Sequence, residues 1–498
     1  MSDIKTRQHP VYAARFSQNL YNHLAIDGGR PYIDERLHRA PNETDVSWEG
    51  SKDDGVVGRR QRACLVNDAG RIASKINQYI FKAATERKGA DEKFMDDVTG
   101  DGKGVNQFME DVSTEITASG WCFVQVDRAP QEFDEAGNPV GYTLESAKEN
   151  PVRWRVWGAL DVTDWHIDED GEIRWIVTRS HKRIDADPLK DAEDVTIHTL
   201  YHRREDGKVY VTEAASKDVP ELKLRTGQVV PGLKRVPFAV VGRISAKPHW
   251  FDDVENIQCQ ILNLDSLHNE TLVNGVYPQL VVPYSLLQSL DVDLKLEKAN
   301  GKDRIKLQRE LIKGRSNPLF EDAEDRGTTR YIQPNAGDLV QIVNEANRKR
   351  ALLFDMAGLA LFNKETRQIQ TAESKQFDQL DTNSTLKHRA LILQGAEKRL
   401  IEMSKMFDGS FTEYSPVYPT QFDVVNTEAL TNALDTVANL PNSTPLMQKM
   451  TLKAALRLVK EEGGCGQEEY DRAAAEIDAL KAEQLSMPPP VNREDGAE

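Results

Sequence analysis

The run GDLVQIVNEANRKRALLFDMAGLALFNKETRQIQTAESKQFDQLDTNSTLKHRALILQGAEKRLIEMSKMFDG, residues 337–409, decides how the rest of the chain is read. It holds two helical patterns joined by a short polar, basic link. The first spans about Leu339 to Leu361, with apolar residues at Leu339, Ile342, Val343, Ala346, Leu353, Met356, Ala357 and Ala360. The second spans about Ala372 to Asp408 and, at ~1.5 Å per residue, reaches ~55 Å. Its second half carries a stripe at helical spacing: Leu386, Ala390, Leu393, Ala396, Leu400, Met403 and Phe407. Its first half, Glu373 to Thr385, is polar nearly all round and offers only Phe377 and Leu380 as large apolar side chains. A helix this long, half amphipathic and half polar, does not suit the closing of a compact monomeric core. It suits an element that crosses between layers of an assembly, which points to a structural machine part rather than an enzyme.

The 498 residues are enough for two to four folding units and a substantial core. The longest apolar runs are a few residues, too short for a membrane-spanning helix, so no membrane association is expected. The opening MSDIKTRQHP lacks the apolar stretch of a secretory signal. Cys64, Cys122, Cys259 and Cys465 show no paired spacing, so neither disulfides nor a zinc site is expected, and synthesis in a reducing cytoplasm is. The net charge of −16 argues against a conventional high-affinity DNA binder. It suits a protein that surrounds DNA without gripping it.

Along the chain, residues 1 to about 118 read as mainly helical. Arg59 to Thr85 places Cys64, Ile72, Ile76, Ile80 and Phe81 on one face, and Val105 to Ala118 places Phe108, Val112 and Ile116 together. From Trp121 to Ile244 the period switches to two. WCFVQVD is a strand. RWRVWGALDVTDWHIDEDGEIRWIVTRSHKRI reads as strand, connection, hairpin and strand, turning at Glu169, Asp170 and Gly171, and TIHTLYHRREDGKVYVTEA repeats the hairpin around Asp206 and Gly207. VVPGLKRVPFAVVGRI closes this β-rich region. A helix at about Asp252 to Asn274 carries Val254, Ile257, Ile261, Leu264, His268 and Leu272 on one face, with Gly275 and Pro278 ending it. Gln279 to Asn335 reads as a small module with strands at QLVVP, PLF and TRYIQP around a charged helical stretch. SFTEYSPVYPTQFDVV is extended, and Pro416 and Pro419 suit an edge. Helices at about Thr427 to Ala438, Pro445 to Glu462 and Glu468 to Gln484 precede the tail SMPPPVNREDGAE, which has the composition of a disordered segment.

This order resembles the portal proteins of tailed bacteriophages. FMEDVSTEITASGWCFVQVD is similar to the helix-then-strand entry of the portal wing, and the hairpins at DEDGEIRWI and REDGKVYV to its β-region. DDVENIQCQILNLDSLHNETLVNGVYPQLVVP resembles the segment that descends the stem into the clip. GDLVQIVNEANRKRALLFDMAGLAL, FNKETRQIQTAES and the long helix resemble the returning stem helix, tunnel loop and channel helix. TPLMQKMTLKAALRLVKEEG and QEEYDRAAAEID resemble crown helices. No single motif is as specific as a nucleotide-binding loop; the serial order of five elements carries the resemblance. It implies an α+β fold with a wing (1–251, β-rich from about 120), a stem helix (252–278), a clip (279–335) and a returning stem helix (336–361). A tunnel loop (362–371), a channel helix (372–409), an extended wing segment (410–426), crown helices (427–485) and a disordered tail (486–498) follow.

The resemblance further implies a ring of this chain, usually twelve-fold, at one capsid vertex of a virion. Genome enters and leaves through such a ring, which has no catalytic activity and no cofactor. Its partners would be the terminase large subunit, a head-completion adaptor, the major capsid and scaffold proteins, and double-stranded DNA in transit. Lys364, Arg367, Gln368 and Gln370 would face the channel, where two cations per subunit give brief, salt-screened phosphate contacts. Lys302, Arg304, Lys306, Arg309 and Lys313 form the most polarised patch of the chain, with Lys298 and Arg315 at its ends. They read either as a solvated helix face paired with the acidic run from Glu321 to Asp325 or as a clip docking patch. Phe377, Leu380 and Leu386 are the expected subunit-contact residues of the long helix. A different virion structural protein, a connector or minor capsid component, is the alternative within the same class.

Catalytic motifs were sought against this background. Around Gly102 and Lys103 a phosphate-binding loop fails, because the next residue is Gly104 and no glycine stands at position 97. Asp97, Thr99, Asp101 and Gly102 copy the first half of a calcium loop, but Phe108 occupies the place of its bidentate glutamate. Asp161, Asp164, His166, Asp168 and Asp170 are the best metal-site candidate and would serve a metal-dependent phosphodiesterase. Turn chemistry at Glu169, Asp170 and Gly171 explains the same residues as a solvated hairpin. His198 and His202 share a strand face without a matching carboxylate.

Overall fold

The structure is a computed structural model. It describes residues 4–41, 43–51, 56–82, 85–128, 151–184, 192–217, 222, 224–230, 233–276, 279–283, 319–321, 330–332, 336–359, 372–407, 409–419, 422, 449–453, 455–456 and 467–479. Residues Met1–Thr420 form one compact unit and Gln421–Glu498 a second.

The first unit opens with helices α1 (Pro10–Asp27), α2 (Gly29–Arg36) and α3 (Asp45–Glu49), then strands β1 (Gly50–Ser51) and β2 (Val56–Val57). The short helix α4 (Arg59–Arg62), α5 (Asp68–Lys82), strand β3 (Glu86–Lys88), α6 (Glu92–Asp96) and α7 (Val105–Ser119) complete the helical region. The single apolar face expected from Arg59 onward is broken: Cys64 lies exposed in the link between α4 and α5, while Ile72, Ile76 and Ile80 are fully buried on α5.

Two antiparallel sheets follow. Strands β4 (Trp121–Arg128) and β5 (Val152–Trp157) pair with each other, and the later β11 (Phe238–Gly242) joins the other edge of β4, giving the order β11-β4-β5. The second sheet is an antiparallel meander of β6 (Val162–Ile167), β7 (Ile173–Ile184), β8 (Glu193–Arg203), β9 (Val209–Ala215) and β10 (Gln228–Val230). Gly171 and Gly207 hold positive φ at the two hairpin turns, the conformation for which glycine is the default residue. Trp121 and Phe123 of β4, Trp157 of β5, Trp165 of β6, Ile176 of β7, Tyr201 of β8 and Val209 and Val211 of β9 share one core, into which α1 inserts Tyr12. The other face of the three-stranded sheet meets helices, with Phe94 and Phe108 against Trp154. Strand β4 is therefore covered on both sides, which explains why its first six residues are all buried instead of alternating.

Helix α8 (Trp250–Val276) leaves this region and is followed in the chain by β12 (Gln279–Pro283). Strand β12 pairs parallel with β13 (Leu319–Glu321) and antiparallel with β14 (Arg330–Ile332), so the three segments read as strands from the sequence do form one sheet. Helix α9 (Ala336–Met356) follows and lies along α8. The pair is antiparallel: β12 and β14 sit together at one end, and Lys349 reaches Gln260 (2.6 Å) towards the other. Helix α9 ends at Met356 rather than near Leu361. Gly358 at φ +67° closes a Schellman turn in which Leu359 N–H donates to Phe354 O (2.9 Å) and Gly358 N–H to Asp355 O (3.0 Å).

The long helix, α10, is Ala372–Ser404, about 50 Å at ~1.5 Å per residue. Leu386, Ala390, Leu393, Ala396 and Leu400 are buried, so the expected stripe is real, but its second half does close a core within one chain. Residues 410–413, expected to be extended, belong to a 3-10 turn over Gly409–Glu413. Strand β15 (Ser415–Val417) then pairs with β3, and Pro416, which has no N–H to donate, stands opposite Arg87 on this two-stranded ribbon. In the second unit, helix α11 (Gln467–Ala479) receives Lys453 Nζ on Asp478 Oδ1 (2.7 Å).

Candidate functional site

The α8–α9 pair and α10 are rooted in the rest of the first unit by polar as well as apolar contacts. Three acidic or amide side chains on the first half of α8 are buried and each has partners from the N-terminal helices. Asp252 takes both guanidinium ends of Arg15 (2.5 and 2.7 Å) and the amide of Asn22 (2.9 Å). Glu255, with no exposed surface, accepts from Arg36 (2.7 and 3.1 Å) and from the Tyr32 hydroxyl (3.1 Å). Gln258 accepts the first N–H groups of α5, from Asp68 and Ala69 (both 3.1 Å), doing the work of a helix cap from another element. Farther along α8, Arg62 binds Glu270 (2.6 Å) and Arg59 donates to Ser266 (3.1 Å). Helix α9 is tied in by Arg350, which reaches Asp265 (2.5 Å) and lies 3.5 Å from Asp68.

Burial itself pushes the Tyr32 hydroxyl and the Asp68 carboxyl upward in pKa. For Asp252 burial works the same way, but the hydrogen bonds from Arg15 and Asn22 outweigh it and hold the carboxyl below its ordinary range. Asp252 and Glu255 are each paired with an arginine, as the cost of desolvation requires, whereas at Asp68 burial outweighs Arg71 and Arg350.

Apolar side chains also reach the surface of the pair. Leu267 and Leu272 on α8 are about half exposed (50% and 41%), and at the facing end of α9 Val340 is 61% exposed. Val343 is also exposed. These apolar side chains reach the surface between polar groups such as the Arg62–Glu270 pair, on an element that carries the small sheet β13-β12-β14 at its tip.

The base of α10 is held by a second buried ion pair. Glu397 has no exposed surface and accepts from Arg87 (2.8 Å) and from the hydroxyls of Tyr414 and Tyr418 (2.6 Å each). Ser404 at the end of α10 takes the indole N–H of Trp154 (2.9 Å).

The residues singled out from the sequence fare unequally. Lys364, Arg367, Gln368 and Gln370 lie outside the described residues, as do Lys302, Arg304, Lys306, Arg309 and Lys313. The backbone of Phe377 and Leu380 is helical. Leu386 is fully buried within its own chain, which removes it from the subunit-contact set. The candidate metal residues are drawn apart by their own bonds. Asp164 is buried on Arg7 (3.0 Å), and Asp168 caps the hairpin by accepting Glu172 N–H (2.8 Å) and pairing with Arg174 (2.7 Å). His166 stacks on Trp175. Among the described residues no group of three His, Cys, Asp or Glu side chains could hold a metal ion. Asp97 accepts from Gly100 and Gly102 N–H (2.6 and 3.0 Å), which makes the calcium-like stretch an ordinary polar turn. No helix among the described residues is long and apolar enough to cross a membrane.

No protein-family model and no curated protein matches the chain. Solved structures similar to it at low identity come from a gene transfer agent (GTA) particle. The neck of the empty particle computed with C6 symmetry is 11% identical over 75% of this chain and 86% of that one, with a TM-score of 0.34. The virion of the native particle gives 12% identity over 84% and 92%, with a TM-score of 0.33. The neck of the native particle computed with C12 symmetry gives 10% over 83% and 95%, with a TM-score of 0.35.

Proposed function

We propose that the chain is a portal-type virion protein: a subunit of a ring at one capsid vertex, through which double-stranded DNA passes and on which packaging and head-completion proteins dock. The observation that carries this reading is the α8–α9 pair. It is rooted by buried ion pairs, exposes Leu267, Leu272, Val340 and Val343 farther along, and is tipped by its own small sheet. A monomer gains nothing from exposing Leu267, Leu272, Val340 and Val343 on a projecting element; a ring that sets such pairs side by side covers them. The acid excess of the whole chain fits a conduit that does not retain DNA. The reading assigns no catalysis and no cofactor to the chain.

Mass photometry and negative-stain microscopy of the purified full-length protein test it. Closed rings with a central hole are the expected result. A monomer with metal-dependent nuclease activity would replace this reading with the phosphodiesterase, and a non-annular oligomer would favour another connector or minor capsid role.

A further inference from the structure

A cavity of about 1060 Å³ opens between the end of α9, the middle of α10, the segment after β11 and the start of α8. Arg243, Lys247, His249, Arg389 and Arg399 line it, and Asp355 is the acidic residue in its wall. Arg389 donates to the Thr117 hydroxyl (3.1 Å) and lies over the Trp250 ring at 4.6 Å, while Arg399 donates to Val240 O (3.1 Å). Among the described residues none of Arg243, Lys247, Arg389 and Arg399 has a carboxylate partner. Two polar atoms in the same wall, the Ser119 hydroxyl and His249 Nδ1, are buried without a hydrogen-bond partner, and Ser119 is 3% exposed. Burial with no compensating charge lowers the pKa of Arg389 to about 10. Arg243, Lys247 and Arg399 are exposed to solvent, but Arg389 is enclosed without a compensating charge beside orphaned polar atoms, an arrangement that an anion would complete.

The wall also distinguishes between anions. Met356 and Leu391 line the cavity and are 40% and 47% exposed. A phosphodiester offers nothing to cover them, whereas an acidic side chain next to an apolar one does. Met356 also ends α9, and Leu352, four residues before it on the same helix face, is exposed as well. A chain with a net charge of −16 has the acidic residues to fill it.

We infer that this cavity receives a carboxylate-bearing, partly apolar segment of a second copy of the chain, whose Asp or Glu side chain pairs with Arg389 and Arg399. The inference rests on the ring reading and adds to it a particular joint, in which the site is incomplete without the neighbour.

The test mixes ordinary and heavy-isotope-labelled full-length subunits, assembles them, and couples amines to carboxylates with a zero-length carbodiimide. Lys247 is expected to join to an Asp or Glu in peptides that pair light with heavy chains. In parallel, the variant Arg243→Glu/Arg399→Glu changes two exposed side chains and should leave the thermal transition intact. It should raise the half-assembly concentration about tenfold or more, and added salt should narrow that gap. Rings that form normally in this variant, or Lys247 joined only within one isotope, would overturn the inference while leaving the ring reading in place. Protection of Lys247 from acetylation by duplex DNA, with no mixed crosslink, would assign the cavity to phosphate and overturn it as well. A wild-type protein that stays monomeric at every concentration would overturn the ring reading and the inference with it.

Discussion

His23 stands between Asn19 O (2.7 Å) and Glu115 Oε2 (3.0 Å). Burial opposes its charge, but the hydrogen bond and charge of Glu115 prevail and raise its pKa from 6.5 to about 9. A histidine whose folded pKa lies above its unfolded one adds stability that is complete below pH 6.5 and is lost as pH rises through about 9. His23→Gln should therefore lower stability by about 1–2 kcal/mol at pH 6 and by little above pH 9, read as the gap between the two melting curves across pH. His249 runs the other way: burial, then the charge of Arg389, lowers its pKa to about 4, so its contribution is complete above pH 6.5 and fades as pH falls through about 4. The Glu397 site makes a stronger demand. Arg87→Met leaves a buried carboxylate with only tyrosine donors and should cost about 3–5 kcal/mol, seen as a lower calorimetric transition. Adding Glu397→Gln to it removes the uncompensated charge and should recover part of that loss.

Helices and strands were legible where the signal is local. The two hairpins announced themselves through Asp170-Gly171 and Asp206-Gly207, and the stripe on α10 through its apolar spacing. The end of α9 was misplaced because Ala357 and Ala360 continue the apolar period past Gly358, while the stop is a backbone event that periodicity does not register. Leu386 was placed on the stripe correctly and given the wrong partner, since spacing identifies a buried face but not whether the cover comes from the same chain. The root of α8 was invisible for a related reason: Arg15 and Asp252 are 237 positions apart, and a buried ion pair reads in sequence as two ordinary surface charges. The cationic cavity likewise draws on five separate stretches, from α7 through the segment after β11 and the start of α8 to α9 and α10. The turn after α9 gives a direct check on the corrected boundary. A Cβ at Gly358 would lie 2.9 Å from Thr385 Oγ1, and an L residue at φ +67° is strained besides. Gly358→Ala should cost about 1–3 kcal/mol in thermal stability, and Gly358→Asn less, because asparagine tolerates the left-handed region.

At the level of the whole chain, Met1–Thr420 holds its own core, and its last strand is part of it. Strand β15 and Tyr418 lie just inside that boundary and complete both the ribbon with β3 and the shell around Glu397. A chain stopped after Thr420 should keep the main calorimetric transition within a few degrees. A chain stopped after Ser404 deletes Tyr414 and Tyr418 and should lose several degrees or fail to fold. Similar behaviour of the two truncations would mean that the Glu397 shell contributes little.

The clamp on α8 has a mechanical corollary. A rod gripped by Arg15, Arg36, Arg59 and Arg62 and carrying a small sheet beyond the last grip is a cantilever. Any load applied to the small sheet at its tip bends the rod about that grip, and the reaction force falls on the ion pairs instead of on the β-core behind them. Those pairs reach back to the first helices of the chain, so a push delivered at one extremity of the subunit is felt by residues whose sequence positions lie more than two hundred places earlier.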